Sequence, residues 1–361
     1  MDIFDRNSFN GEVIDFTEKD IWVVPGLIDT HLHLAHGGTD PSEKENPDPL
    51  VALRMAHNAF VNLKAGITTV RDMGAKNHID VEFKKGVELG LIPAPRVLIS
   101  GKPIIATGGH CYYMGREADG PDEVEKAVRE QLKAQVDFIK LMVTGGVTTP
   151  GTNIYDLQLK KEEIESAVVT AHNAGKPVSV HAQGGKGIRL SIESGIDSLE
   201  HGIFLTEKDV ELMYKKGTYY VPTLVAIKEI AEYGLDVGLP KWVVEKAEAA
   251  VEAHMKSYQM ARKAGLTIAA GTDYRHGTLL DEMQLMVSYG ASNNEAILSA
   301  TSVAAKVIGK NKEVGSIETG KYADLLVIRG NPLEDISKLA NVEIVFLGGE
   351  VKWYTKNNTL K

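Results

Sequence analysis

Two histidines one residue apart, His31 and His33, end the apolar run VVPGLIDTHLHL at residues 23–34. In a β-strand, residues i and i+2 point to the same face, so the two imidazoles are expected to converge on one point in space. Imidazoles that converge in this way are common metal ligands. Because a pair at this spacing also arises by chance, a metal site requires further ligands elsewhere in the chain.

Four more residues of ligand type lie at or near the ends of other strand-like runs. His181 ends KPVSVHAQ, His201 ends GIDSLEHG and Asp273 ends LTIAAGTD, although Asp273 could instead cap the next helix. Lys140 lies in DFIKLMVTGG between apolar neighbours, where an unpaired ammonium group would cost several kcal/mol to bury. This lysine must therefore be neutralised or chemically modified.

A carbamate would explain a buried Lys140. Burial lowers the pKa of a lysine, and the neutral amine reacts with carbon dioxide to give a group with one negative charge and two oxygens. Such a group can bridge two metal ions. The residues then predict two adjacent sites with these ligands: His31, His33 and Asp273 on one metal, His181 and His201 on the other, and carboxylated Lys140 shared by both.

The elements that would position these residues alternate between strand-like runs and helical segments. The eight predicted strands are residues 23–34, 66–73, 96–101, 137–146, 176–183, 195–202, 218–224 and 266–273. Helical periodicity is found at residues 50–66, 122–135, 161–175, 206–217 and 243–265. Eight strand–helix units predict an α/β protein, a closed (β/α)8 TIM barrel in which reactive residues lie at the carboxyl ends of the strands.

The composition is typical of an ordinary globular protein. Of its 361 residues, 43% are hydrophobic, which suffices for one large core and a small addition. The formal net charge is −9 with no basic run, so nucleic acid is not expected as a partner. The sequence has no bilayer-length apolar run and no signal-like N-terminus, so we expect a cytoplasmic protein without membrane contact. The single Cys111 excludes an internal disulfide.

In combination and order, the motifs resemble those of the amidohydrolase superfamily, in particular its imidazolonepropionase-like and prolidase-like branch of the Xaa-dipeptidase type. The resemblance rests on PGLIDTHLHL, GITTVRDMG, TGGH, FIKLMVTGG, VHAQGGKGI, SLEHG and GTDYRHG, and on the tail GSIETGKYADLLVIRGNPLEDI. It covers nearly the whole chain. It implies the same assignment of metal ligands as the residues themselves, with carboxylated Lys140 shared between the two metals.

The resemblance also implies a small β-sandwich domain built from both ends of the chain. We expect residues 1–24 to form its N-terminal part, residues 25–308 the barrel and residues 309–361 its C-terminal part. Because members usually have more residues before the two histidines, the N-terminal part is abbreviated here. The segment GEVIDFTEKDIWVV could supply two strands and leave an edge that a second copy of the chain could cover in a homo-oligomer.

The predicted site supports hydrolysis. Two divalent cations lower the pKa of a bridging water so that hydroxide forms near neutral pH, and one of them polarises the substrate carbonyl. Asp273 could take the proton as the metal-bridging hydroxide attacks and pass it to the departing nitrogen, which would make it both ligand and acid–base group. Histidine and carboxylate ligands fit Zn²⁺ well but also suit Mn²⁺, Co²⁺ and Fe²⁺.

Four residues are candidates for substrate contacts. His110 follows the third strand in TGGH and, by the resemblance, would contact the scissile carbonyl or a substrate carboxylate. Tyr220 ends the seventh strand and could bind a carboxylate or simply pack. After the eighth strand, Arg275 could bind substrate or be solvated, and His276 matches a position that is commonly histidine in relatives. Gln183 stands where relatives often carry a histidine, so a substrate contact there could differ.

The predicted function is metal-dependent hydrolysis of a C–N amide bond in a small molecule, a dipeptide or an N-acyl amino acid. A carboxylated lysine favours this peptidase-like activity over its nearest alternative, a cyclic amide or amidine hydrolase such as imidazolonepropionase or a deaminase. An alternative of another class is a non-catalytic barrel that binds metal or a small ligand. The presence of all six ligand-type residues argues against it, because catalytic decay would first remove Asp273 or Lys140.

Overall fold

Short strands and longer helices alternate along most of the chain. The computed structural model describes residues 20–36 and 45–355. Its strands are β1 (Ile21–Pro25), β2 (Leu27–Leu32), β3 (Ile67–Asp72), β4 (Arg96–Ile99), β5 (Ile104–Ile105), β6 (Arg116–Glu117), β7 (Ile139–Met142), β8 (Val178–Ala182), β9 (Ser198–His201), β10 (Tyr219–Val221), β11 (Leu325–Arg329), β12 (Val342–Leu347) and β13 (Glu350–Tyr354). Its α-helices are α1 (Asp48–Lys64), α2 (Ile79–Glu88), α3 (Pro121–Lys133), α4 (Lys161–Asn173), α5 (Lys186–Glu193), α6 (Glu207–Lys216), α7 (Leu224–Tyr233), α8 (Lys241–Lys263), α9 (Leu279–Ser288), α10 (Asn293–Ser299) and α11 (Ser302–Val307).

Strands that are buried on both faces form the barrel. Every residue of β2, β3, β7, β8 and β9 is buried, which is the pattern of parallel strands covered by helices on one side and by the barrel interior on the other. β2, β3 and β4 pair in parallel, and so do β7, β8, β9 and β10. The amide of Asp137 donates to the carbonyl of Ile99 (2.9 Å) and joins the two groups.

Residues 266–273 take the place of the eighth strand and close the barrel. The amide of Tyr220 donates to Thr267 (3.0 Å) and that of Thr30 donates to Ala270 (3.1 Å), so the segment lies between β10 and β2. Gly271 allows the close approach, because a Cβ there would lie 2.7 Å from the Cβ of His31. The predicted (β/α)8 TIM barrel is therefore confirmed, with an irregular last strand.

The first predicted strand, residues 23–34, is divided between two sheets. It breaks at Gly26, where a Cβ would lie 2.1 Å from the hydroxyl oxygen of Thr68. Before the break, β1 pairs antiparallel with β11, in a small sheet of order β1-β11-β12-β13. Both ends of the chain thus contribute to one antiparallel sheet, as predicted for the small domain. The earlier part of GEVIDFTEKDIWVV, up to residue 19, and residues 356–361 lie outside the described residues.

The small sheet and the barrel share an apolar core. Leu326 of β11 and Val345 of β12 pack in one cluster with Leu63 of α1 and Ile67 of β3, and all four side chains are fully buried. The core is continuous across the junction, so packing as well as the connecting chain fixes the small sheet to the barrel. The predicted domain boundaries at 24/25 and 308/309 fall at the end of β1 and just after α11.

The five predicted helices correspond to α1, α3, α4, α6 and α8, with ends that agree within two residues. Six further helices, α2, α5, α7, α9, α10 and α11, have no counterpart among the predicted segments. Of these, α7 matters most for function, because it contributes to the wall of the cavity described below. Within residues 20–36 and 45–355, no helix has the length and apolar character needed to cross a membrane.

We predict that Asp324→Ala lowers the free energy of unfolding by about 2–3 kcal/mol, somewhat less than for a fully buried ion pair because Arg96 is about one-third exposed. The buried carboxylate of Asp324 accepts from Nε (3.0 Å) and Nη2 (3.2 Å) of Arg96 and from the amide of Gly348 (2.7 Å), and so ties the barrel to the small sheet. Urea unfolding followed by circular dichroism measures the loss. Glu350→Ala, which breaks the exposed pair with Lys352, is the control, with an expected loss of about 1 kcal/mol or less. Equal losses for the two variants would contradict the prediction.

Candidate metal centre

Five of the six predicted metal ligands lie at or near the carboxyl ends of the barrel strands, where parallel strands of a barrel present their reactive residues. The sixth, Lys140, pairs with Ser179 and so lies two residues deeper in the barrel than His181. All six line one cavity with a volume of about 280 Å³. They are His31 of β2, His33 just after β2, Lys140 of β7, His181 of β8, His201 at the end of β9 and Asp273 after the eighth strand segment. Residues far apart in sequence thus share one site because the barrel closes.

Asp273 joins the histidines of this cluster. Its Oδ1 lies 3.4 Å from Nε2 of His31 and 3.7 Å from Nε2 of His33, and its Oδ2 lies 3.9 Å from Nδ1 of His201. Potential ligand atoms of His31, His201 and Asp273 all lie within 4.8 Å of one another, a group that could hold one metal ion. The structure thus places His201 beside His31, whereas the sequence prediction assigned these two histidines to different metals.

The imidazoles form a row along one side of the cavity. The ring centroids of His31 and His201 are 5.0 Å apart, and those of His201 and His181 are 4.5 Å apart. His110, which was predicted as a substrate contact, continues the row with its centroid 4.4 Å from that of His181. The imidazole nitrogens of the cluster are therefore spread over a longer distance than the ligands of a single metal ion.

Hydrogen bonds to the outer ring nitrogens orient three of the histidines. Nδ1 of His31 lies 2.7 Å from Oε2 of Glu200, and Nδ1 of His33 lies 2.9 Å from the carbonyl oxygen of Gly74. Nδ1 of His201 lies 2.8 Å from Oγ1 of Thr223, whose hydroxyl donates to a backbone carbonyl (2.6 Å) and so accepts from the imidazole. Each Nδ1 is thereby protonated, and Nε2 of His31 and of His33, which lie near Asp273, keep their lone pairs for a metal.

Burial keeps the imidazoles of His33, His181 and His201 neutral. It lowers the pKa of His33 to about 3 and holds the pKa values of His181 and His201 well below the ordinary histidine value. Burial alone would raise the pKa of Asp273, but the neighbouring His31 and His33 outweigh it and hold that pKa well below the usual range. Neutral imidazole and ionised carboxylate are the forms that bind metal ions.

Lys140 has the buried amine that the sequence predicted. The side chain is 1% exposed, and Nζ has no hydrogen-bond partner among the described residues. Burial lowers its pKa to about 8, despite the nearby carboxylates of Glu200 and Asp273. A buried amine in one cavity with the neutral imidazoles of His181 and His201 fits a divalent metal site in which a modified lysine supplies oxygen ligands.

Glu200 is a site residue that the sequence prediction missed. Its side chain is fully buried in the barrel interior, and the carboxylate contacts His31. It also accepts hydrogen bonds from Arg71 Nη2 (2.9 Å), Ser179 Oγ (2.7 Å) and Ser198 Oγ (2.6 Å). Burial would raise the pKa of Glu200, but Arg71 and His31 hold it well below its usual range. The signal in the sequence was a glutamate within the apolar strand run GIDSLEHG. Glu200 is a positioning residue, because it acts through His31.

Two of the ligand-type residues have backbone conformations that non-glycine residues rarely adopt. His201 has φ 71° and Asp273 has φ 47°, and Thr223, which holds the His201 ring, has φ 54°. Such conformations cost about 1–3 kcal/mol each and occur where the surroundings over-determine them. At His201, the backbone carbonyl lies within hydrogen-bond distance of the Tyr220 hydroxyl (2.9 Å) and of Nε2 of His254 (3.0 Å), and these two contacts hold the unusual conformation.

The four predicted substrate contacts have different locations. His110 lines the cavity, and its Nδ1 lies 2.8 Å from Oγ1 of Thr149. Tyr220, Arg275 and His276 are not among the described residues that line the cavity. Tyr220 is fully buried and directs its hydroxyl at a backbone carbonyl, so its role is to position His201.

Arg275 and His276 lie outside the cavity because their side chains bind neighbouring loops and helices. Nη2 of Arg275 lies 3.7 Å from the carboxylate of Glu229 on α7. Nε2 of His276 lies 2.8 Å from the carbonyl oxygen of His36, and its Nδ1 lies 3.2 Å from the Asn62 side chain. Gln183, by contrast, lines the cavity, and its buried Oε1 has no hydrogen-bond partner among the described residues.

Comparison with known proteins gives consistent matches over most of the chain. The family model described as "Amidohydrolase family" matches residues 22–352. An ochratoxinase from Aspergillus niger is 34% identical, with 87% of this chain and 71% of that protein covered. A crystal structure of a Xaa-Pro dipeptidase with bound methionine is 34% identical, with a TM-score of 0.85 and 93% and 87% of the two chains covered. An imidazolonepropionase from Fusobacterium nucleatum subsp. nucleatum is 25% identical, with 88% of this chain and 78% of that protein covered.

We predict that Glu200→Gln weakens zinc binding about 10- to 100-fold, because the amide cannot replace both the acceptor for His31 and the charge partner of Arg71. Competition with a chromophoric chelator measures the dissociation constant, and circular dichroism checks the fold. Glu163→Gln is the matched control, since Glu163 is also buried but caps α4 through Lys160, away from the cavity. Unchanged zinc affinity in a folded Glu200→Gln variant would refute the positioning role.

Proposed function

The chain belongs to the amidohydrolase family, and from this premise we propose that it is a metal-dependent hydrolase that cleaves the C–N amide bond of a dipeptide or an N-acyl amino acid. The observation that carries the proposal is one cavity lined by six histidines, four of them the predicted metal ligands, together with the Asp273 carboxylate and the buried Lys140 amine. A similar structure is that of a Xaa-Pro dipeptidase, which supports a peptide-like substrate.

In this proposal two divalent cations occupy the cluster. The nitrogen-rich set favours zinc without excluding other first-row metals. When bound, the cations would lower the pKa of a water molecule and polarise the substrate carbonyl. The residues that would hold them are His31, His33, His181, His201, Asp273 and Lys140 as its carbamate.

Asp273 is the residue that we assign to proton transfer. Its carboxylate is 28% exposed, faces the cavity and keeps a pKa well below neutrality, so it is ionised before reaction. It would accept the proton of the attacking water and donate it to the departing amide nitrogen. Its Oδ1 lies 3.4 Å from Nε2 of His31 and 3.7 Å from Nε2 of His33, so the carboxylate would share a cation with these two imidazoles.

His110 is the residue that we assign to the substrate. Its ring lies in the cavity wall beside His181 and is oriented through Nδ1 by Thr149. From this position it would hydrogen-bond the substrate carbonyl oxygen. A Cβ at Gly146 would come within 2.2 Å of the His110 ring, so the loop after β7 also packs against it and limits its movement.

The zinc-loaded protein is expected to hydrolyse members of a panel of dipeptides and N-acyl amino acids, with activity lost on chelation and restored by zinc. Asp273→Asn is expected to lower kcat about 10²- to 10⁴-fold, because the amide cannot transfer the proton. Asp281→Asn, on the neighbouring helix α9 and outside the cavity lining, is the control. Full metal content with no turnover on any substrate would favour a binding protein instead, and hydrolysis restricted to cyclic amides would favour the imidazolonepropionase-like alternative.

The modification of Lys140 has its own test. Metal-free protein reconstituted with zinc and ¹³C-bicarbonate is expected to show a carbamate carbon in its ¹³C spectrum, because the buried amine has no hydrogen-bond partner among the described residues. Lys140→Met should lose this signal and bind less zinc. Lys246→Met serves as the matched control, since Nζ of Lys246 already donates to the carbonyl of Thr152 (2.6 Å). The carbamate assignment would be wrong if the unsubstituted protein bound two zinc ions without the signal.

A further inference from the structure

One part of the cavity wall carries no group that the proposed chemistry uses. It is contributed by α7, the connection after it and the start of α8, and we refer to it as the apolar chamber. Its residues are Ala226, Ile227, Ile230, Leu239, Pro240, Trp242 and Val243. We propose that the apolar chamber binds an uncharged apolar group of the substrate, either branched alkyl or aryl, and thereby selects the substrate class. This inference rests on the proposed function, since the group must belong to the amide that is hydrolysed.

The start of α7 ties the chamber to the metal centre. α7 begins at Leu224, directly after Thr223, whose hydroxyl oxygen accepts from the His201 imidazole. The fully buried carboxylate of Glu282 accepts from the amides of Leu224 (3.0 Å) and Val225 (2.7 Å), which fixes the first turn of the helix. The apolar wall is therefore held at a set position relative to His201, as a specificity wall must be.

Further apolar residues pack behind the chamber. Ile227, Ile230 and Val243 belong to a buried cluster with Ile203 and Ala247. A charged substrate group that entered the chamber would lose its hydration and meet no residue of opposite charge in this cluster, whose one polar side-chain group among the described residues is the Tyr274 hydroxyl. An alkyl or aryl group would instead gain by leaving water.

Several charged residues of α7 and α8 bind partners outside the apolar chamber. Glu229 lies 3.7 Å from Arg275, outside the cavity, and Lys228 pairs with Glu232. Lys246 stands over the Trp242 ring, 4.9 Å from its centroid, but its Nζ donates to the carbonyl of Thr152.

The cavity lining therefore provides little that could hold a substrate carboxylate at the chamber. Lys140 is the one lysine or arginine among the described lining residues, and it lies within the metal cluster. The polar lining residues outside that cluster are His36, His110, Cys111, Tyr113, Thr148, Gln183 and Tyr274, and none of them is a lysine or an arginine. A substrate carboxylate, where present, must then point away from the chamber.

Two pairs of substrates with nearly equal shapes test the proposal on either side of the amide bond. N-acetyl-leucine is compared with N-acetyl-aspartate, and isovaleryl-glycine with malonyl-glycine. In each pair a branched alkyl group replaces a carboxylate of similar size. We expect kcat/KM of the zinc-loaded protein to favour the apolar member about 100-fold or more in at least one pair. Equal values in both pairs, or a preference for the charged member, would overturn the proposal.

Substitutions in the apolar chamber test whether the chamber causes the preference for the apolar substrate. Leu239→Lys places a cation at the half-buried edge of the chamber and is expected to reduce the preference at least tenfold, whereas Leu235→Lys, four residues earlier and exposed, should leave it unchanged. Trp242→Ala, which adds no charge, is expected to lower kcat/KM about tenfold for the apolar member alone. If the chamber variants and the Leu235→Lys control behave alike, the chamber is not the selecting wall.

A binding measurement separates this proposal from the hydrolytic one. Zinc-loaded protein is titrated with 4-isopropylbenzamide and with 4-carboxybenzamide while tryptophan emission is recorded, since Trp242 lies in the chamber wall. We expect the isopropyl compound to bind at least tenfold more tightly, and Trp242→Phe to lose the emission change. If the isopropyl compound binds more tightly but no amide is hydrolysed, the proposed function is wrong and the apolar chamber still binds apolar groups. If amides are hydrolysed but the two compounds bind equally, the proposed function holds and the proposal for the chamber is wrong.

Discussion

The site depends on one constraint, which is that the amine of Lys140 is buried in the barrel without a hydrogen-bond partner among the described residues. Burial lowers the pKa of this amine to about 8 even beside the carboxylates of Glu200 and Asp273, so part of it is neutral near neutral pH and can react. Its neighbours in the cavity include the imidazoles of His181 and His201, which burial keeps neutral. A lysine that gains negative charge, together with cations between it and the histidines, would satisfy every member of the cluster at once.

The fold holds this cluster through contacts beneath and beside it. Inside the barrel, the ion pair of Glu200 and Arg71 fixes His31 from below. His201 adopts a strained backbone conformation, which its ring contact with Thr223 and two hydrogen bonds to its carbonyl stabilise. Since Thr223 also precedes α7, the same contacts that orient a metal ligand set the position of the apolar chamber. In the proposed function, metal binding and substrate choice would therefore depend on the same piece of backbone.

Much of this arrangement could be predicted from the sequence because barrel strands obey a simple rule. Apolar runs that end in His181, His201 and Asp273 indicate a common rim, and the closed barrel brings them to one cavity. Glu200 was not predicted as a site residue because the adjacent His201 was taken as the functional residue of that run. Its partner Arg71 lies 129 residues away, so no local pattern indicates the pair.

The loops and the short helices after the strands could not be predicted in the same way. Tyr220 ends a strand like the ligands do, yet its hydroxyl turns to a backbone carbonyl, which strand position alone does not reveal. The helix α7 begins after a residue with positive φ and is capped by Glu282 from α9, a long-range contact without a local sequence signal. The wall that it forms was consequently absent from the sequence prediction.

The most direct test of the central claim is a crystal structure of the zinc-loaded protein with anomalous diffraction measured at the zinc edge. We expect two anomalous peaks within the cluster of His31, His33, His181, His201 and Asp273, and electron density for a carboxylate on Nζ of Lys140 that contacts both. An unmodified Lys140 amine, with no metal peak beside it, would contradict the account.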